Sequence, residues 1–311
     1  MYSAASRSVR QTTAHLFARC WVRTPGRGVA TLPLFSLEGK TCVVTGAGRG
    51  LGKETLTAFA RSGARGACID LTLASCNSSI SHIKSHLRTT ASDLPEPDIR
   101  PYACDVTNES AVQSTFAQIA HDFGGIDILV TAAGIVDNVE AERYEFERWK
   151  KMVDVNLHGS WLAAREGGKY MIRQNERDGE IGKEEGWKKR GGSIVFIGSM
   201  SGNICVRPQK QAGYNATKAA VNMLAKSLAT EWATHNIRVN SLSPGYIATD
   251  LIKGLLKKEG KDLSQEWVKH IPMGRMAHPS EFQGTVVWMV SDAASYLTGS
   301  DIIVDGGYTA Y

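Results

Sequence analysis

Seven short apolar runs punctuate the chain after Lys40. They are TCVVT (41–45), GACID (66–70), RPYACD (100–105), IDILVT (126–131), GSIVFIG (192–198), IRVNSLS (237–243) and DIIVD (301–305). Runs of this length, nearly free of charge in their middles, predict strands covered on both faces. The stretches between them carry a helical period; Val221, Leu224, Leu228 and Trp232 form one stripe at 3-4-4 spacing. Strands alternating with helices imply a parallel sheet, and seven of them predict a single doubly wound α/β domain.

Two segments interrupt the alternation. Residues 71–99 are polar and end in DLPEPDI, which predicts a helix followed by a proline-rich loop. Residues 173–192 mix charges of both signs with five glycines, which predicts a solvated surface insertion.

Composition separates the first 36 residues from the rest. They hold Arg7, Arg10, Arg19, Arg23 and Arg27, no lysine and no acid; the first acidic residue is Glu38. Removing those five arginines from the 36 basic residues leaves 31 against 31 acidic ones, so the formal charge of +5 belongs to the leader. The remainder carries no basic excess of the kind nucleic acid demands, and no nucleic-acid partner is expected. An acid-free leader rich in Arg, Ser, Thr and Ala has the composition of a mitochondrial transit peptide; a disordered extension without an address is the alternative. The expected organisation is therefore a leader over 1–36 and one domain over 37–311, in the mitochondrial matrix or otherwise the cytoplasm. No apolar run approaches the ~18 residues of a membrane span. The six cysteines form no CxxC pair and no cluster with histidine, so a reduced compartment and no metal site are expected.

The first run leads straight into TGAGRGLGKE (45–54), in which Gly46, Gly50 and Gly52 are followed by a helical pattern. Glycines between a strand and a helix let a pyrophosphate approach the helix N-terminus, where free N–H groups and the dipole favour anions. Eighteen residues beyond Gly52, Asp70 closes the second run. A carboxylate there accepts from both ribose hydroxyls of NAD and repels the 2′-phosphate of NADP. Arg49 in the turn pulls the other way, but an exposed arginine contact is worth only about 1 kcal/mol. NAD is expected over NADP.

The glycine turn, together with Tyr214 and Lys218 four residues apart, resembles the short-chain dehydrogenase/reductase family, from about Leu37 to Tyr308. The resemblance implies a Rossmann-like fold and places further residues. Leu51 belongs to the turn, and Asp105 and Val106 in ACDVTN would hold the adenine. Ala133 and Gly134 in ILVTAAGI would flank the cofactor, although Thr131 and Ala132 replace the usual asparagines and leave one structural hydrogen bond in doubt. Asn156 in VNLHG matches the family's helix asparagine. Pro244, Gly245, Ile247 and Thr249 in SPGYIATD would hold the nicotinamide carboxamide and the phosphates. Thr249 can also cap a helix starting near Asp250.

The resemblance makes Tyr214 the proton carrier for the substrate oxygen. A free tyrosine, with a pKa near 10, is a poor acid at neutral pH. Lys218, one helical turn on, and the positive nicotinamide ring of NAD⁺ are expected together to lower the Tyr214 pKa, and Lys218 to hold the ribose hydroxyls. A serine would bond the same oxygen, and Asn156 would steady a water behind Lys218. Two serines compete. Ser201 lies thirteen residues before Tyr214, the family's commonest spacing, whereas Ser199 follows the strand end directly. The loop between can absorb two residues, so Ser199 is taken as catalytic and Ser201 as lining the pocket.

The stretch from Ser199 to Leu251 looks like the fungal polyol dehydrogenases and ketose reductases of this family, which implies a sugar alcohol or its ketose as the small-molecule substrate. Gln209 and Gln211 could donate to sugar hydroxyls, and the segment 252–272 would be a lid. The same machinery with NADPH would serve a 3-oxoacyl thioester reductase or a ketoreductase of secondary metabolism; a non-catalytic NAD-binding scaffold is the alternative of another class. The family usually forms homotetramers through its two long central helices, on which Trp149, Trp161 and Trp232 fall.

Overall fold

Neighbouring residues of one strand feed two separate cores. Val43 and Val44 are both fully buried, yet Val44 packs with Leu56, Phe59, Ile83 and Val286, while Val43 packs with Phe116, Ala163 and Val221. Successive side chains of a strand point to opposite faces, so such a run must lie between two helical layers. The computed structural model describes residues 32–181, 191–249 and 262–311, and Leu32–Tyr311 forms one compact unit.

The seven expected strands form: β1 (Thr41–Thr45), β2 (Arg65–Asp70), β3 (Ile99–Ala103), β4 (Ile128–Thr131), β5 (Gly192–Ile197), β6 (Ile237–Pro244) and β7 (Asp301–Val304). All pairs are parallel, in the order β3-β2-β1-β4-β5-β6-β7. The order reverses direction between β1 and β4, which opens a crevice at the carboxyl ends of the strands. On one face lie α1 (Gly50–Arg61) and α2 (Leu73–Thr90). On the other lie α3 (Glu109–Phe123), α5 (Gly159–Ile181) and α6 (Ala212–Trp232). A short helix, α4 (Phe146–Val153), runs into α5 through a π-helical turn at Asp154–His158. Later come α7 (Asp262–Lys269) and α8 (Gln283–Val290), the latter in the first layer. No helix among the described residues is long and apolar enough to cross a membrane.

Local chemistry explains the helix starts. Thr72 caps α2 by accepting from Ser75 N at 3.1 Å, and Asn108 caps α3 by accepting from Ala111 N at 3.0 Å. The helix and proline-rich loop expected over 71–99 are present as α2 and residues 91–98. The charged segment expected as a surface insertion is in part helix, because α5 continues through Ile181. Its glycines and mixed charges hid that extension; residues 182–190 lie outside the described residues. The same holds for residues 1–31 of the expected leader, for residues 252–261 of the expected lid, and for the helix start expected near Asp250.

Candidate active site

A cavity of about 420 Å³ occupies the carboxyl edge of the sheet at the reversal point. Twenty of the residues expected to form the site line it, and Asn156 alone does not. At one end is the turn between β1 and α1. Gly46 has φ +66°, and a Cβ there would fall 2.6 Å from Ala133 N; a Cβ on Gly52 would fall 2.3 Å from the Gly46 carbonyl oxygen. Only bare backbone fits, and it leaves the first turn of α1 open to a phosphate. The residues present therefore fit a dinucleotide.

Asp70 is fixed at the end of β2. Its Oδ2 accepts from Gly48 N and its Oδ1 from Leu71 N, both at 2.8 Å. Each oxygen retains acceptor capacity, and the residue lines the cavity. Arg49 is exposed at the rim. Asp105 closes its own turn through Thr107 N and Oγ1, at 2.9 and 2.8 Å, and Val106 is buried beside it.

At the other end stand the reacting side chains. Tyr214 and Lys218 are adjacent turns of α6, and the Lys218 Nζ lies 5.7 Å from the Tyr214 ring centroid. The ammonium donates to the Ile197 carbonyl at 2.7 Å. Burial pushes Lys218 down to about 8. Burial also pushes Tyr214 up, with a hydrogen bond from Ser199 acting in the opposite sense. This corrects the expectation that Lys218 lowers the Tyr214 pKa. The ammonium faces a carbonyl rather than the phenol oxygen, and desolvation of the phenolate outweighs it.

Ser199 and Ser201 have different surroundings. Ser199 lies just beyond β5 and starts a 3₁₀ turn, its Oγ accepting from Ser201 N at 3.1 Å. That bond occupies a lone pair and leaves the hydroxyl proton free to be donated, and Ser199 lines the cavity together with Tyr214. A Cβ on Gly202 would fall 2.8 Å from the Lys218 carbonyl carbon, so the serine turn presses on the α6 backbone.

Asn156 sits in the π-helical turn, fully buried. Its Oδ1 accepts from Ile135 N at 2.8 Å, and its Nδ2 donates to the Ile135 carbonyl at 3.0 Å and to Thr217 Oγ1 at 3.2 Å. The side chain is spent on tying the loop after β4 to α6.

Sequence reasoning did not single out Asp301, Tyr246 or Trp267. Asp301 accepts from Asn203 Nδ2 at 2.7 Å, Asn222 Nδ2 at 3.0 Å, Ser243 Oγ at 2.6 Å and Ser241 Oγ at 2.9 Å. It thereby joins β7, β6, α6 and the serine turn. Tyr246 and Trp267 stack at 4.4 Å and wall the reacting end of the cavity. A tyrosine after Pro244–Gly245 and a tryptophan in an amphipathic helix were the available signals. Thr131 is buried with its hydroxyl unpartnered, which bears out the doubt raised by its replacement of an asparagine.

A family model described as an enoyl-(acyl carrier protein) reductase matches residues 46–309. The chain is 38% identical over 282 residues to an NADH-dependent L-xylulose reductase of Ambrosiozyma monospora, covering 90% of this chain and 98% of that one. It is 39% identical over 276 residues to a probable NADP-dependent mannitol dehydrogenase of Yarrowia lipolytica, covering 88% and 89%. A crystal structure of a short-chain type dehydrogenase/reductase from Mycobacterium marinum aligns at 36% identity with a TM-score of 0.78, over 89% of this chain and 98% of that one.

Proposed function

We propose, on the premise that the chain belongs to the short-chain dehydrogenase/reductase family, that it interconverts a sugar alcohol and its ketose with NAD. It is an oxidoreductase acting on secondary alcohols and ketones and takes a nicotinamide dinucleotide. The reading of substrate and cofactor goes further and rests on one observation above all. Ser199, Tyr214 and Lys218 meet at one end of a cavity whose other end is a bare-backbone phosphate cradle.

Bound there, the nicotinamide supplies or accepts the hydride. In reduction, the Tyr214 hydroxyl gives its proton to the ketone oxygen as negative charge develops on it. The Ser199 hydroxyl donates to the same oxygen and is held for that task by the Ser201 N–H. Lys218 keeps positive charge one turn below, anchored on Ile197, where ribose hydroxyls can reach it. In oxidation the proton moves the other way. Asn156 keeps the loop carrying Ala133 and Gly134 in register with α6. The cofactor-binding roles proposed for Leu51, Pro244, Gly245, Ile247 and Thr249 are supported by their places on the cavity wall.

NAD is favoured because Asp70 is immobilised by two backbone N–H groups where a 2′-phosphate would lie, whereas Arg49 is solvated. A sugar alcohol is favoured because the relatives named above are a xylulose reductase and a mannitol dehydrogenase. The arginine-rich leader supports import into the mitochondrial matrix. Exposed Trp161 on α5 and Met223 on α6 support a homotetramer built through the central helices.

The test is a spectrophotometric screen of NADH formation and consumption across C4–C6 polyols and ketoses. Turnover of a ketose with NADH supports the reading. Activity confined to acyl thioesters with NADPH would replace it.

A further inference from the structure

Gln211 is a largely buried residue whose amide reaches the cavity and is left unused by the protein itself. It is only 9% exposed and lines the cavity. It stands at the position where a side chain would cap α6, yet its side chain makes no capping bond. Its backbone carbonyl accepts from Asn215 N at 2.8 Å, and no hydrogen bond is made by its side chain among the described residues. Water in the open cavity can meet such an amide, but a ligand that displaces the water must replace its bonds. An amide that faces a cavity is built for something that enters the cavity.

Its neighbour Gln209 shows the contrast. In the orientation that the hydrogen-bond network requires, the Gln209 carbonyl accepts from Trp267 Nε1 at 2.8 Å and from the Tyr246 hydroxyl at 2.5 Å. Its amide nitrogen donates to the Arg207 carbonyl at 3.1 Å. Gln209 is therefore spent on holding the aromatic wall, against the expectation that it would meet a sugar hydroxyl. The Ser201 hydroxyl is also unspent, but a lone hydroxyl turns to suit what is near it and discriminates less than a planar amide.

We propose that Gln211 reads a hydroxyl on a carbon adjacent to the reacting one, so that the site selects α-hydroxy ketones and the vicinal diols they form. The proposal rests on the reading above for the reaction, but not for the sugar. An amide offers two donors and an acceptor, and a hydroxyl both accepts and donates, so one hydroxyl satisfies both ends of the group. Gln211 stands at the N-cap of α6, three residues before Tyr214, and both line the same cavity. A substrate whose oxygen meets Tyr214 therefore brings the next carbon or two, with their hydroxyls, beneath Gln211. A ketone lacking that hydroxyl leaves the amide buried and unmet, which is the strongest basis for discrimination a site can have.

The test compares acetoin with 2-butanone, which differ by that one hydroxyl, in the full-length enzyme with NADH. Wild type is expected to prefer acetoin in kcat/KM by about thirtyfold or more, and Gln211→Met to bring the ratio to within about threefold. NADH binding to the variant, followed by fluorescence, reports that it is folded. Gln211→Glu keeps the length and an acceptor but removes the donors, and its ratio should fall between the two. No preference in wild type, or a preference undiminished in both variants, overturns the proposal. Preference for acetoin without turnover of any C5 or C6 ketose leaves this inference standing and removes the sugar. Ketose turnover that Gln211→Met slows no more than it slows 2-butanone does the reverse.

Discussion

The hydroxyl of Ser199 accepts the backbone N–H of Ser201 at 3.1 Å. The second serine thus serves the first through its backbone, and its side chain is dispensable to that service. Ser199→Ala is expected to lower kcat by about a hundredfold, the cost of losing one donor to a developing oxyanion. Ser201→Ala should stay within a few-fold. Steady-state kinetics on a verified substrate decide, and the reverse order would move the catalytic role to Ser201.

Tyr214→Phe removes the proton and keeps the ring. Turnover should fall by about a thousandfold or more while NADH binding persists, since the cradle at Gly46–Gly52 is untouched. Normal turnover in that variant would remove the mechanism.

The two directions of reaction should respond oppositely to pH. Reduction needs Tyr214 as phenol and oxidation needs it as phenolate. Burial holds the phenol above its ordinary value and brings Lys218 down to about 8, so Lys218 stays charged only below that pH. Reduction should be level to about pH 8 and fall above it as Lys218 loses its proton; oxidation should rise up to about pH 8 as the phenolate fraction grows and flatten above it for the same loss. An oxidation profile in kcat/KM that falls between about pH 6 and 9 would contradict this assignment.

Asp70→Asn keeps the shape and removes the charge, and its single carbonyl oxygen keeps one of the two bonds from Gly48 and Leu71. The preference for NADH over NADPH, as a ratio of kcat/KM, should shrink by about a hundredfold, because a like-charge clash is worth several kcal/mol. An unchanged ratio would shift the discrimination to Arg49 and its surroundings.

Thr131 buries an unpartnered hydroxyl in β4, so Thr131→Val should stabilise the protein. A gain of about 1 kcal/mol, or about 2 °C in Tm for a domain of this size, is expected. A lower Tm would mean that the hydroxyl has a partner after all.

The strands were legible because a parallel sheet under two helical layers forces uncharged runs with sharp ends. The cradle and the Tyr214–Lys218 pair were legible because each is local: a strand, a turn and one helix suffice to place them. What was hidden depends on distance. The Asn156 bonds to Ile135 and Thr217 and the Asp301 bonds to Asn203 and Asn222 join residues 21 to 98 positions apart, and no periodicity encodes them. The Tyr214 pKa was misjudged for the same reason. Spacing on α6 gave the neighbour, but only the fold revealed how deeply burial penalises charge there and that Lys218 turns to Ile197.

Asp301 divides the enzyme into a part that binds and a part that acts. The nucleotide cradle is assembled from β1, α1 and β2, whereas the serine turn, α6 and the end of β6 are lashed together by one carboxylate on β7. A chain cut before β7 would keep every residue of the cradle and every reacting side chain, yet lose the clamp that aligns them. Nucleotide affinity is therefore a poor witness to an intact enzyme: the molecule can be loaded without being armed.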